Sequence, residues 1–146
     1  MLKQGSKAPD IELIDQNGKS FSLSKQGKGK ILVYFYPKAD TPGCTQQACA
    51  LNDILRKVGD TAIIGMSPDT PAKQLKFAEK YQLKFPLLAD EDPSVAEAYG
   101  VWQEKKLYGK TVVGVIRSTF IVGPTGKIEQ VWYSVKADGH AAKVVN

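Results

Sequence analysis

Cysteine and histidine are scarce in this sequence: two Cys and one His among 146 residues. The lone histidine, His140, and two cysteines cannot assemble the usual four-ligand zinc site, which wants a second cysteine pair or further histidines. The cysteines, Cys44 and Cys49, have four residues between them, so the CxxC spacing of a dithiol redox pair is absent too. Two cysteines in a chain of this kind do not make a disulfide scaffold; they are bland buried thiols or reactive ones. Long apolar runs are also missing. None approaches the roughly 20 residues of a membrane span, and the opening MLKQGSKAPD has no apolar stretch of the secretory type. A cytoplasmic protein without a membrane partner is expected. Concentrated charge is lacking as well. The balance is 20 Lys and Arg against 15 Asp and Glu, a net charge of +5. The lysines are scattered, densest in KQGKGK at 25–30 and KLYGK at 106–110. Nucleic-acid binding would call for clustering, so none is expected; the surface suits at most an acidic protein partner. No repeat, low-complexity tract or linker divides the chain, and residues 1–146 suit one domain, long enough to bury about two-thirds of its unfolded surface.

What is present reads as alternating strands and helices. Ile11–Ile14 and Lys19–Leu23 flank Asn17-Gly18, whose tolerance of positive φ signals a hairpin. The run from Lys30 to Tyr36, rich in β-branched and aromatic residues, suits a central strand covered on both faces, and Pro37 ends it by withholding an N–H. From Cys44, the recurrence of Ala48, Leu51, Leu55 and Val58 predicts a helix closed by Gly59. Thr61–Met66 reads as a second buried strand. Thr70 is a good N-cap with Pro71 at the first helical position, predicting a helix to about Tyr81. Phe85–Ala89 follows as a strand, and Asp92-Pro93 opens a short helix that ends near Gly100. Val112–Val122 and Lys127–Val135 read as strands joined by a turn at Gly123–Gly126, and a last helix is expected from Asp138-Gly139-His140. This order predicts an α/β fold: a central mixed sheet flanked by helices, preceded by an N-terminal β-hairpin.

The chemistry concentrates in YPKADTPGCTQQAC, residues 36–49. Cys44 falls in the first turn of the helix, where unpaired N–H groups and the helix dipole favour an anion and so a thiolate. Gly43 admits close backbone approach, Pro42 stiffens it, and Thr41 can aim its hydroxyl toward the sulfur. These features fit a nucleophile; a small apolar filler at a helix start is the plainer alternative. Cys49 is five positions on. An ideal helix separates such Cα atoms by about 8.6 Å, whereas a disulfide wants less than about 7 Å. Were the two to pair, the first turns of the helix would have to unwind. Otherwise Cys49 is a buried helix residue beside Ala48 and Leu51.

The pattern Pro37-x-x-x-Thr41-x-x-Cys44 resembles the active-site signature of peroxiredoxins, and FYPKADTPGCTQQAC resembles the bacterioferritin comigratory protein group, also called peroxiredoxin Q. Similar segments continue at Phe85–Asp90, Ala98–Val101, Arg117–Val122 and Gly139–Ala141, so the resemblance covers nearly the whole chain. It implies a thioredoxin-like fold and an antioxidant enzyme, a thioredoxin-dependent peroxidase reducing hydrogen peroxide and alkyl hydroperoxides. By the same resemblance, Cys44 is the peroxidatic cysteine, oxidised to a sulfenic acid. Arg117, alone in the uncharged run VVGVIRSTFIV, supplies a cation near the sulfur. Thr41 bonds the thiolate or the peroxide, and Pro37 shields the sulfur from water. Cys49 resolves the sulfenic acid as an intramolecular Cys44–Cys49 disulfide, and thioredoxin or a similar dithiol reduces it. No metal, flavin or heme is implied, and a monomer is expected.

Other signals carry less. His140 fits packing near the C-terminus rather than a cysteine–histidine pair. Asp90-Glu91-Asp92 lacks the spacing of a calcium loop and reads as solvated. Trp102, Trp132, Tyr108 and Tyr133 fit core or cover as well as a substrate rim. A protein thiol–disulfide oxidoreductase and a non-enzymatic redox sensor compete with the peroxidase; the absent CxxC weighs against the first, and Arg117 with Thr41 against the second.

Overall fold

The apolar run ILVYF forms the middle of the fold. In the computed structural model, which describes residues 2–25, 29–54, 62–107 and 109–133, this run is strand β3 (Ile31–Phe35), buried at every position. It follows a hairpin of β1 (Glu12–Ile14) and β2 (Ser20–Ser22). Helix α1 (Pro42–Ile54) carries the chain to β4 (Ala62–Ser67), and α2 (Pro71–Tyr81) carries it on to β5 (Leu87–Ala89). These three strands run parallel, as strands joined by helical crossovers must. Then come α3 (Ser94–Ala98), a hairpin of β6 (Trp102–Leu107) and β7 (Lys110–Val115), and the strands β8 (Ser118–Val122) and β9 (Ile128–Trp132). β8 pairs antiparallel with the free side of β3, giving a mixed sheet in the order β5-β4-β3-β8-β9.

Alternation along β3 divides the core in two, because successive side chains leave opposite faces. Ile31, Val33 and Phe35 pack with Val95 and Ala96 of α3 and with Tyr99. Leu32, Tyr34 and Tyr36 pack with Cys44, Ala48 and Leu51 of α1 and with Phe77 and Ala78 of α2. Helices therefore cover both faces, as expected. Among the described residues no helix is long and apolar enough to cross a membrane.

Several local expectations hold. Thr70 Oγ1 accepts from the Lys73 N–H at 3.3 Å, with Pro71 opening α2. That helix closes at Gln82 in the left-handed region, φ 53°. The first hairpin forms as well, turning over Asp15–Lys19: Asp15 Oδ1 accepts from the N–H groups of Asn17 and Lys19, and of Asn17 and Gly18 only Gly18 has positive φ. Others need correction. The run Val112–Val122 is not one strand. It breaks at Ile116-Arg117 into β7, which pairs with β6, and β8, which joins the central sheet. The polar WQEKKL of β6 gave no strand signal because, although Trp102 packs on the core, the strand is held by pairing with another hairpin arm. Asp90 is not solvated either; it is buried, and its carboxylate accepts from the N–H groups of Val95 and Ala96, capping α3. The closing of α1 by Leu55, Val58 and Gly59, the last helix with His140, and Tyr108 lie outside the described residues.

Candidate active site

The sheet brings the site together at one end. β3 and β8 are antiparallel with Phe35 opposite Ser118, so the residues after Phe35 and the residue before Ser118 meet although more than 70 positions separate Cys44 from Arg117. Sheet pairing extends one step past β3, with the Tyr36 N–H bonded to the Met66 carbonyl at 3.0 Å. Half-buried Pro37 offers no further donor, and the chain turns away. The loop is fastened at Ala39 and Asp40. The Ala39 N–H donates to Asp69 Oδ2 at 2.7 Å. Asp40, at φ 57°, accepts from Tyr81 at 2.8 Å and from Lys80 at 3.0 Å. Those bonds, Tyr81 first and Lys80 second, hold the Asp40 carboxyl below the usual range.

Helix α1 begins two residues earlier than the apolar spacing suggested. The Thr41 carbonyl accepts the first helical bond, from the Thr45 N–H at 2.8 Å. Thr41 is thus the N-cap, Pro42 the first helical residue, and Cys44 the third, inside the turn where backbone N–H groups have no helical acceptor. The Thr41 hydroxyl donates to the Lys38 carbonyl at 2.9 Å, so its proton is directed at the loop backbone and not at the sulfur.

Cys44 is 1% exposed, in the cluster with Tyr34, Tyr36, Ala48 and Leu51, against which half-buried Trp132 also packs. Arg117 Nη2 donates to its Sγ at 3.2 Å, and Arg117 Nη1 donates to Gln47 Oε1 at 2.7 Å. Gln47 escaped notice in the sequence. It is three residues after Cys44, the spacing of neighbours on one helix face, and it is fully buried. The available signal was a polar residue on the face that carries Cys44, Ala48 and Leu51. Its Nε2 has no partner among the described residues.

Cys49 sits on the same unbroken helix, half-buried, and both thiols are free. Ideal helix geometry turns it about 140° from Cys44 and leaves the Cα atoms about 8.6 Å apart. Burial, and then the Asp53 carboxylate four residues on, push the Cys49 thiol above its ordinary value. Beneath α1 lies Tyr34, wholly buried, whose hydroxyl has no partner among the described residues. Trp102 and Tyr133 pack on the opposite core and are no part of this site. Among the described residues no three His, Cys, Asp or Glu side chains gather as metal ligands.

Residues 4–131 match the AhpC/TSA family. The Escherichia coli protein peroxiredoxin Bcp is 47% identical over an alignment of 148 positions, covering 99% of this chain and 94% of the relative. Among solved structures, a PrxQ variant from Xylella fastidiosa superposes with a TM-score of 0.93 at 31% identity, covering 100% of this chain and 94% of that one. A bacterioferritin comigratory protein from Xanthomonas campestris gives a TM-score of 0.87 at 35% identity, covering 92% and 87%. The thioredoxin-like fold of these neighbours is the fold of this chain.

Proposed function

The chain belongs to the AhpC/TSA family and is a peroxiredoxin, a thiol-dependent peroxidase, and from that premise we propose that Cys44 is its peroxidatic thiol, Cys49 its resolving thiol, and Arg117, Thr41 and Pro37 the groups that shape the site. The observation that carries this reading is the guanidinium of Arg117 held 3.2 Å from a buried sulfur at a helix start. A fixed cation there stabilises the charge that moves onto oxygen as the reaction proceeds. The thiolate attacks one peroxide oxygen and the O–O bond breaks. The other oxygen takes a proton and leaves as water or an alcohol, and Cys44 becomes a sulfenic acid. Gln47 fixes the plane of the guanidinium, so Arg117 needs no reorganisation when charge develops. Thr41 turns its hydroxyl from Lys38 to the incoming peroxide, and Pro37 narrows access by water.

Resolution joins Cys49 sulfur to Cys44 sulfur and releases the sulfenic oxygen as water. The separation of about 8.6 Å exceeds disulfide reach, so the first turns of α1 unwind before the bond closes. A thioredoxin-type dithiol then reduces the bond by exchange. The cycle needs no partner subunit, which favours a monomer, and a reductant of this kind is at hand in the cytoplasm, where we place the protein in antioxidant defence. The Xanthomonas campestris relative is described for alkyl peroxide reduction, which supports organic hydroperoxides as substrates beside hydrogen peroxide.

The test is stopped-flow peroxide consumption by the wild type, Cys44→Ser and Cys49→Ser. Cys44→Ser should abolish turnover. Cys49→Ser should keep the first attack, stall recycling and accumulate overoxidised Cys44. Full turnover by Cys44→Ser with a thioredoxin system would overturn the assignment.

A further inference from the structure

A buried polar network lies beside the catalytic loop and takes no part in the steps above. Its centre is Asp69, in the joint between β4 and α2 and buried without an ion pair among the described residues. Asp69 Oδ2 accepts from the Ala39 N–H at 2.7 Å and from the Ser67 hydroxyl at 2.6 Å. Ser67 Oγ in turn accepts from Gln74 Nε2 at 2.8 Å, and the same amide reaches the Leu88 carbonyl of β5 at 2.9 Å. The Tyr36 hydroxyl closes the network on Gln74 Oε1 at 2.5 Å. Tyr36 and Ala39 flank Pro37, so one set of side chains ties the chain down on both sides of the loop's first bend.

We propose that Asp69 is a positioning residue for attack on the peroxide, clamping the 37–41 loop through the Ala39 amide so that the first turn of α1 presents Cys44 to Arg117. The loop lacks a ladder, so its amides need outside acceptors, and a carboxylate acceptor makes a stronger, shorter bond than a neutral one. The anchors belong to β4, β5 and α2, none of which has to open when α1 unwinds. The clamp therefore survives each turnover and returns Cys44 to the same place. This inference rests on reading Cys44 as the peroxidatic thiol.

The experiment compares Asp69→Ala and Asp69→Asn with the wild type. It measures the second-order rate of sulfenic acid formation, the rate of the following disulfide step, the melting temperature, and amide exchange at Ala39. Small misplacements of reacting groups cost up to about 100-fold, and Asp69→Ala should slow the first step by roughly 10- to 100-fold. The disulfide step should not slow. Asn keeps an acceptor for the Ala39 N–H, so Asp69→Asn should recover most of the loss. Ala39 exchange should quicken in Asp69→Ala while that of Ala78 in α2 stays as it was. Attack by Asp69→Ala at the wild-type rate, an equal fall in both steps, or an Asn variant as slow as the Ala one would each overturn the proposal. Should Asp69→Ala fail to fold, Ser67→Ala decides, since it releases the carboxylate and leaves the acceptor: a first step slowed by several-fold supports the clamp, and an unchanged one refutes it. A wild type that consumes no peroxide would sink the peroxidase reading alone. The clamp would then stand or fall on alkylation of Cys44 by iodoacetamide, altered in Asp69→Ala if the loop is held and unaltered if it is not.

Discussion

Replacing Tyr34 with Phe removes one oxygen atom from the floor beneath α1, and the reduced protein should become more stable for it. The ring itself is well held. It stacks on Tyr36 with centroids 5.3 Å apart and meets Phe85 edge-on at 5.9 Å. It also lies so close over Gly65 that a Cβ there would fall 2.7 Å from the ring carbon bearing the hydroxyl. Phe keeps those ring contacts. What changes is the hydroxyl, which is wholly buried and unpartnered among the described residues. Burial keeps it protonated far into the alkaline range, and the neighbouring Tyr36 and Cys44 act in the same direction. An unpaired buried hydroxyl costs about 1–3 kcal/mol, so Tyr34→Phe should gain about that much, with a rise in Tm of roughly 2–4 °C per kcal/mol for a chain of this size. The same cost bears on the catalytic cycle. Tyr34 shares its cluster with Cys44, Ala48 and Leu51, so unwinding the first turns of α1 lets water reach the hydroxyl and relieves the penalty. Without the hydroxyl that relief is lost. Disulfide formation should then slow by roughly 5- to 100-fold, at about 1.4 kcal/mol per factor of ten, while attack on peroxide keeps its rate. Urea unfolding of the reduced protein reads the first effect as a higher midpoint with an unchanged slope. Stopped-flow kinetics, with mass spectrometry of overoxidised Cys44, reads the second. A less stable Phe variant would mean that the hydroxyl has a partner in solution, and the reasoning fails. A more stable variant with unchanged disulfide kinetics would mean that the hydroxyl stays covered while α1 opens.

Arg117→Lys should lower the peroxide rate constant on the order of 100-fold, because one ammonium cannot replace two forked donors aimed at Cys44 and Gln47; a loss below about threefold in stopped-flow assays would contradict that role. Oxidation should melt the start of α1, seen as a fall in far-UV helical ellipticity that dithiothreitol restores, and an unchanged spectrum with the Cys44–Cys49 bond mapped by mass spectrometry would refute the unwinding argument. The Cys49 thiol is raised by burial first and Asp53 second, so in a Cys44→Ser background Asp53→Asn should shift its alkylation profile toward lower pH. By the same sign, folded α1 holds a proton that opened α1 releases. This contribution to helix stability is full below the ordinary thiol range and is lost as pH rises through the raised folded value, so disulfide formation should quicken toward alkaline pH; a flat profile would refute the linkage.

Features written in a few adjacent residues were legible before the structure. ILVYFY, rich in β-branched and aromatic residues, suits a covered strand, Thr70-Pro71 marks a helix start by its own hydrogen bond and fixed φ, and the string around Cys44 carries its chemistry in sequence order. Features that depend on what lies opposite were not. VVGVIRSTFIV looks like one strand because nothing within it shows that Val115 faces a hairpin arm while Ser118 faces Phe35. Gln47 shares the helix face of Cys44, Ala48 and Leu51, but the Arg117 it orients lies 70 positions away, and no local pattern joins the two. Asp90 and Asp92 share an acidic triplet, yet α3's amides draw the first of them into the core. The site itself follows the same division. The local string puts a thiol in a helix's first turn, where an anion is favoured, and this needs no tertiary information. The cation comes from the break at Ile116-Arg117, the same feature the linear pattern concealed. Had the run stayed a single strand, Arg117 would occupy a rung of the ladder, its direction dictated by the pleat. The break frees it from the pleat just beyond the Phe35–Ser118 pair, and from there its guanidinium reaches both Cys44 and Gln47.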